Sequence, residues 1–259
     1  MDNFFMFAGR RSTEFGLAVE RFPGQPKPAR KVELISIPGR NGLLRVDQGA
    51  YENVTVSYEC YFKGGPNQAS TISGWLYASG GGYAVLRDTY HPDVFRMAAF
   101  DNMSEIENIW NRYGRCVLSF DCKPQMWSDL GQKPVEFDLP ISSGNWSFNT
   151  AVVGVLRNPY PFTAKPLIRL EGYGSSIVTI QNAAGSLSLR CETGPYAEID
   201  CEMQNMFTDD INENTKLDIM TDFPVLAPGE NIISMSHKSN PSTGEYPPRL
   251  IITPRWWHL

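Results

Sequence analysis

Alternation with a period of two runs through this chain and confines it to a fold built of strands. In "NVTVSYECYFK", Val54, Val56, Tyr58, Cys60 and Phe62 fall on one side, while Asn53, Thr55, Ser57 and Glu59 fall on the other. Successive side chains of an extended chain point to opposite faces, so this pattern describes a strand with one face buried. "VLSFDCK" repeats it with Leu118, Phe120 and Cys122 inward. "LSLRCE" and "AEIDCEM" are expected to bury Leu187, Leu189 and Cys191, then Ala197, Ile199, Cys201 and Met203.

Helical spacing is sparse. "NQASTISGWLYASGGG" places Ile72, Trp75 and Leu76 at i, i+3, i+4, and one of the following glycines is expected to stop the helix at positive φ. "MSEIENIW" offers a second short helix through Ile106, Ile109 and Trp110. The expected fold class is therefore all-β with a minor helix.

At 259 residues the chain holds one large domain or two of ordinary size. Proline and glycine signals at "KPQMWSDLGQKP" put a boundary near Lys133, giving domains 1–133 and 134–259. The stretch 134–164 is rich in Pro, Ser, Asn and Gly, and its packing partner is left open.

Hydrophobic content of 42% supplies a sizeable core, and a net charge of -5 argues against a surface that wraps nucleic acid. No run approaches the roughly 18 apolar residues of a membrane-spanning helix, so no membrane insertion is expected. Asp2 and the early Arg10 in "MDNFFMFAGRR" speak against a secretory signal. The five cysteines, Cys60, Cys116, Cys122, Cys191 and Cys201, have no CxxC spacing and read as reduced, buried small hydrophobes.

Motifs that carry chemistry fail on inspection. Gly39 and Gly42 in "SIPGRNGLL" lie between strand-like segments, and Gly80, Gly81 and Gly82 follow a helix instead of opening one. Neither arrangement cradles a phosphate. His91, His237 and His258 lack zinc spacing; His91, before Pro92, belongs to a turn, and the other two are expected at the surface. "DINEN" sets Asp210, Asn212 and Asn214 at alternate positions of a calcium loop, but Thr215 and Thr221 stand where glycine and glutamate are required. There is no GxSxG and no flanked nucleophilic cysteine. No catalytic, cofactor-binding or metal-binding residue is assigned, no cofactor is expected, and an enzyme is not the expected class.

The tryptophans, Trp75, Trp110, Trp127, Trp146, Trp256 and Trp257, leave two readings. Exposed rings would stack on sugars, making the chain a lectin-like carbohydrate-binding module. The adjacent pair in "IITPRWWHL" points both ways from its strand, and Leu250, Ile252 and Trp256 alternate with Ile251, Trp257 and Leu259. A strand apolar on both sides is covered on both sides, which favours packing against protein. Pro254 is positioned to bulge that strand or break its register.

Several stretches together carry a family resemblance: "ISIPGRNGLL", "NVTVSYECYF", "YHPDVFRMAAF" and "ENIWNRYGRCVLSFDCKP", then "NPYPFTAKPLIRLEGYG", "DFPVLAPGENIIS" and "IITPRWWHL". In order and spacing the chain resembles the distal tail proteins of long, flexible-tailed phages of Gram-positive bacteria. The resemblance implies an N-terminal β domain that forms a hexameric ring around a channel, and a C-terminal galectin-like β-sandwich projecting outward. It implies axial contacts to the tail tube protein and the tail-associated lysin or hub protein, with receptor-binding proteins attached around the ring. It also implies assembly in the host cytoplasm, residence at the phage tail tip, and passage of DNA without specific binding. The chain has no surplus length for an inserted carbohydrate-binding module.

Overall fold

The computed structural model describes residues 3–21, 23–79, 81–103, 107–109, 113–138, 149–239 and 248–259. Chain contacts divide into two compact units, Met1–Met126 with Leu259, and Trp127–His258. Each has its own hydrophobic core.

The first unit opens with β1 (Phe5–Phe7), β2 (Arg10–Arg11) and β3 (Leu17–Arg21). A hairpin, β4 (Arg30–Ser36) and β5 (Leu43–Tyr51), precedes β6 (Val54–Lys63) and helix α1 (Pro66–Ala78). Then come β7 (Ala84–Asp88), β8 (Val94–Met103), β9 (Glu107–Ile109) and β10 (Tyr113–Cys122). Antiparallel pairing gives the order β2-β1-β7-β8-β10-β6-β3, with β9 also on β10.

The inward faces fall where alternation puts them. Val54, Val56, Tyr58, Cys60 and Phe62 are buried on β6, and Leu118, Phe120 and Cys122 on the facing β10. Helix α1 starts at Pro66, whose missing N–H costs nothing in a first turn, and lays Ile72, Trp75 and Leu76 into the same core. Trp75 stacks on Phe15 at 4.2 Å between ring centres. Termination differs from expectation: the helix ends at Ser79 with φ -67°, and Gly81 and Gly82 do not adopt positive φ, while Gly80 lies outside the described residues. The second expected helix is also corrected. Glu107–Ile109 is a strand whose backbone pairs with Tyr113–Arg115, so sheet hydrogen bonding overrides the i, i+3 spacing; Ile106 and Trp110 lie outside the described residues.

The chain continues through β11 (Met126–Ser128), β12 (Val135–Asp138), β13 (Asn149–Asn158) and β14 (Leu167–Glu171). It adds β15 (Gly174–Asn182), β16 (Gly185–Thr193), β17 (Tyr196–Asp200), β18 (Asn205–Thr208) and β19 (Ile211–Asn212). It closes with β20 (Leu217–Ile219), β21 (Gly229–Ser239), β22 (Arg249–Thr253) and β23 (Trp257–His258). Two antiparallel sheets, ordered β12-β22-β14-β17-β18-β19 and β13-β21-β15-β16-β20, share one core and make a β-sandwich. Ile168, Leu170, Ile199 and Ile252 reach it from one sheet; Val178, Ile180, Leu189 and Ile233 reach it from the other. Leu187 is only half-buried, near the start of β16. Met203 is a correction: it is 70% exposed, because β17 stops at Asp200 and the chain turns there.

All five cysteines are buried and reduced. Burial pushes the Cys116 thiol up to about 11 and those of Cys122, Cys191 and Cys201 up to about 12, and it raises Cys60 too. Thiolate is the reactive form, so these groups are inert while the fold holds. Titration with a thiol reagent at pH 7.5 is expected to label none of them in the native protein and all of them in denaturant.

Candidate assembly site

Of the terminal tryptophans, whose adjacency calls for cover on both sides, one is buried and the other half-buried by their own unit. Arg255 adopts φ 57° between β22 and β23, and the in–out alternation of burial continues past it, with Trp256 on the inward face of Leu250 and Ile252 and Trp257 on the other. Trp256 turns into the sandwich core at 4% exposure. Its backbone passes so close to Gly131 that a β-carbon there would lie 2.2 Å from the Trp256 nitrogen, so only glycine fits. Trp257 stacks on Phe162 at 4.5 Å, and its indole N–H donates to the Thr163 carbonyl at 3.0 Å. Trp75 is core as well, so neither Trp75 nor Trp256 is an open sugar platform.

The same turn is locked by charge. Arg255 donates to both Asp200 oxygens at 2.9 Å, and the N–H groups of Glu202 and Met203 also donate to Asp200. Burial pushes the Asp200 carboxyl up, but Arg255 and these N–H groups outweigh it and leave it below its ordinary value. A depressed carboxyl pKa stabilises the fold above the unfolded value near 3.8 and loses that contribution as pH falls through the native value. Asp200→Asn is expected to cost about 1.5–3 kcal/mol at pH 7. The gap between the melting temperatures of variant and wild type should narrow progressively as pH falls below 3.8.

Other sequence candidates are structural. Among the described residues no group of three or more His, Cys, Asp or Glu side chains is placed to hold a metal. In "DINEN" the Asn214 carbonyl oxygen accepts the Met206 N–H at 2.6 Å and that of Asn212 accepts the Asn214 N–H, so these amides fasten a turn. His91 does lie in a turn, with its N–H on Asp88. His258 is half-buried against Tyr160. His237 is a correction: it is 6% exposed, since β21 turns it inward opposite Ser176 of β15. Its Nδ1 lies 2.9 Å from the Ser176 hydroxyl, and burial lowers its pKa. Ser176 has no accessible surface, so this Ser–His contact cannot meet a substrate.

What remains open is the β4–β5 hairpin. Pro38 and Gly39, the latter at φ 78°, form its turn, closed by the Arg40 N–H on the Ile37 carbonyl. That is the geometry a Pro-Gly centre favours. At the base, Gly49 at φ 70° accompanies a register shift; its N–H and the Arg30 guanidinium both bind Asp47 and hold that carboxyl below the ordinary range. Among the described residues the hairpin is hydrogen-bonded to no other strand. Both faces are wet: Leu34 is 56% exposed and Leu43 57% on one, with Ile35, Leu44 and Val46 exposed on the other. An isolated two-stranded hairpin is marginal in water, and apolar residues on both its faces call for a partner.

Against solved structures, the match runs end to end. The crystal structure of the SPP1 Dit (gp 19.1) protein aligns over 100% of both chains with a TM-score of 0.70. The chain has the SPP1 Dit fold. At 12% identity the Dit likeness is one of architecture. No family model matches the sequence, and no curated protein matches it. The Dit structure is described as a paradigm of the hub adsorption apparatus in Gram-positive-infecting phages.

Proposed function

We propose that this chain is a distal tail protein, a non-enzymatic baseplate hub of a long-tailed phage. Copies close into a hexameric ring at the tail tip that joins the tail tube protein to the tail-associated lysin or hub protein. The N-terminal domain, residues 1–133, builds the ring, and the C-terminal domain, residues 134–259, is a peripheral galectin-like sandwich beside which receptor-binding proteins attach. The ring is assembled in the host cytoplasm and leaves with the virion, and DNA passes its channel without being held.

The observation that carries this reading is the β4–β5 hairpin. It exposes leucines on two faces in a unit whose other inward faces are filled, and a head-to-tail ring gives each copy a neighbour to receive it. The end-to-end SPP1 Dit fold supports placing that ring in a phage tail. The "SIPGRNG" tip belongs to the hairpin, which ties the exposed feature to a stretch that carries the family resemblance.

Reconstitution with the tail tube protein of the same phage or prophage tests the proposal. Electron micrographs should show six-fold rings capping the tubes. Tubes left uncapped, with this chain staying monomeric at high concentration, would refute it.

A further inference from the structure

Among the described residues, the two sheets of the sandwich end in edges of very different length. Strands β12, β19 and β20 present four, two and three residues, while β13 presents ten. Natural edges are blunted by brevity, charge, proline or bulges, because a free row of N–H and C=O groups templates pairing with another chain; on β13 these devices are confined to a bulge at Val153 and one charge, Arg157, near its end. From Asn149 to Leu156 strand β13 carries no charge and no proline. A bulge at Val153 turns Val152 and Val155 to the same outer face, where they are 66% and 54% exposed, with Ile232 of β21 opposite Val155. Arg157 follows on that face, exposed; Glu230 of β21 lies opposite it in register without forming an ion pair with it.

We propose that β13 is a docking edge for an extended segment of a different protein, taken up as an added strand along Gly154–Asn158. Main-chain groups supply the affinity and alternate side chains the choice of partner. The outward residues of the incoming strand are an apolar side chain beside Val155 and, two residues away, a carboxylate beside Arg157. A second copy of β13 is the poorer occupant: it contains no acidic residue for Arg157, and its own bulge would disturb the ladder. The inference does not depend on the ring, since it concerns one edge of one sandwich.

The probe is a fluorescein-labelled nine-residue peptide of alternating threonine and valine, with aspartate two residues before the central valine, added to the full chain. Anisotropy should saturate, and amide exchange should slow in β13 but not in β19 or β20. Arg157→Glu, at an exposed position opposite Glu230, should lower the melting temperature by no more than a few degrees and weaken binding at least tenfold. A peptide with lysine in place of aspartate should restore binding to that variant. Absence of saturable binding to the folded protein overturns the proposal, as does failure of the charge swap. Concentration-dependent dimerisation abolished by Arg157→Glu would assign the edge to a second copy and overturn it too.

Discussion

Phe120→Asp should leave the N-terminal unit unfolded. Phe120 has no accessible surface, and its ring centre lies 5.0 Å from Phe7, 5.5 Å from Phe100, 5.6 Å from Phe5 and 5.9 Å from Tyr58. Removing the ring alone forfeits about 3–5 kcal/mol of packing. The carboxyl that replaces it has no partner at that point, and burying it costs several kcal/mol more or forces its protonation. Domains of this size are stable by only about 5–15 kcal/mol, so the sum consumes the margin. The sandwich has a separate core and should survive. Calorimetry should show one cooperative transition where the wild type shows contributions from both units. A wild-type profile would mean that the inward face of β10 is misassigned.

The second large effect is expected on assembly with stability untouched. Leu34 and Leu43 share one face of the hairpin, while Ile35 and Leu44 are paired on the other. Leu34→Asp with Leu43→Asp, or Ile35→Asp with Leu44→Asp, places charge on residues that are exposed in the single copy, so neither pair should lower the melting temperature by more than a degree or two. Either pair that faces a neighbour in the ring should abolish self-association, because each carboxylate would be desolvated without a partner. Sedimentation of wild type and both double variants distinguishes the outcomes. Unaltered ring formation by both would remove the hairpin from the interface.

Much of the fold is legible in the sequence because alternation is a local signal with a single geometric meaning. Tyr58, Phe120, Leu189 and Ile199 are core because their neighbours in sequence are polar and the strand period is two. The misread positions are those where a neighbour in space decides. Glu107–Ile109 has helical spacing but is claimed by the ladder of β10. Met203 continues an alternating run that Asp200 cuts short by accepting the next N–H groups. His237 looks like a surface residue until the opposite strand places Ser176 beside it. Trp256 and Trp257 show the limit most plainly. Their adjacency suggests one ring left over for another molecule, yet Trp256 sits in the core of its own unit, against Gly131, and Trp257 is half-buried on Phe162 of the same unit. The candidate assembly site is half visible: "SIPGRNG" reads as a turn between strands, but nothing in the flanking apolar residues says that both faces meet water.

Cryo-electron microscopy of tail tips containing this chain tests the central claim most directly. The density is expected to show a closed ring of six copies around an open channel, with Leu34, Leu43 and Ile35 of each hairpin buried against the next copy. A ring whose hairpins stand free in solvent, or tail tips in which the chain sits as isolated single copies, would contradict it.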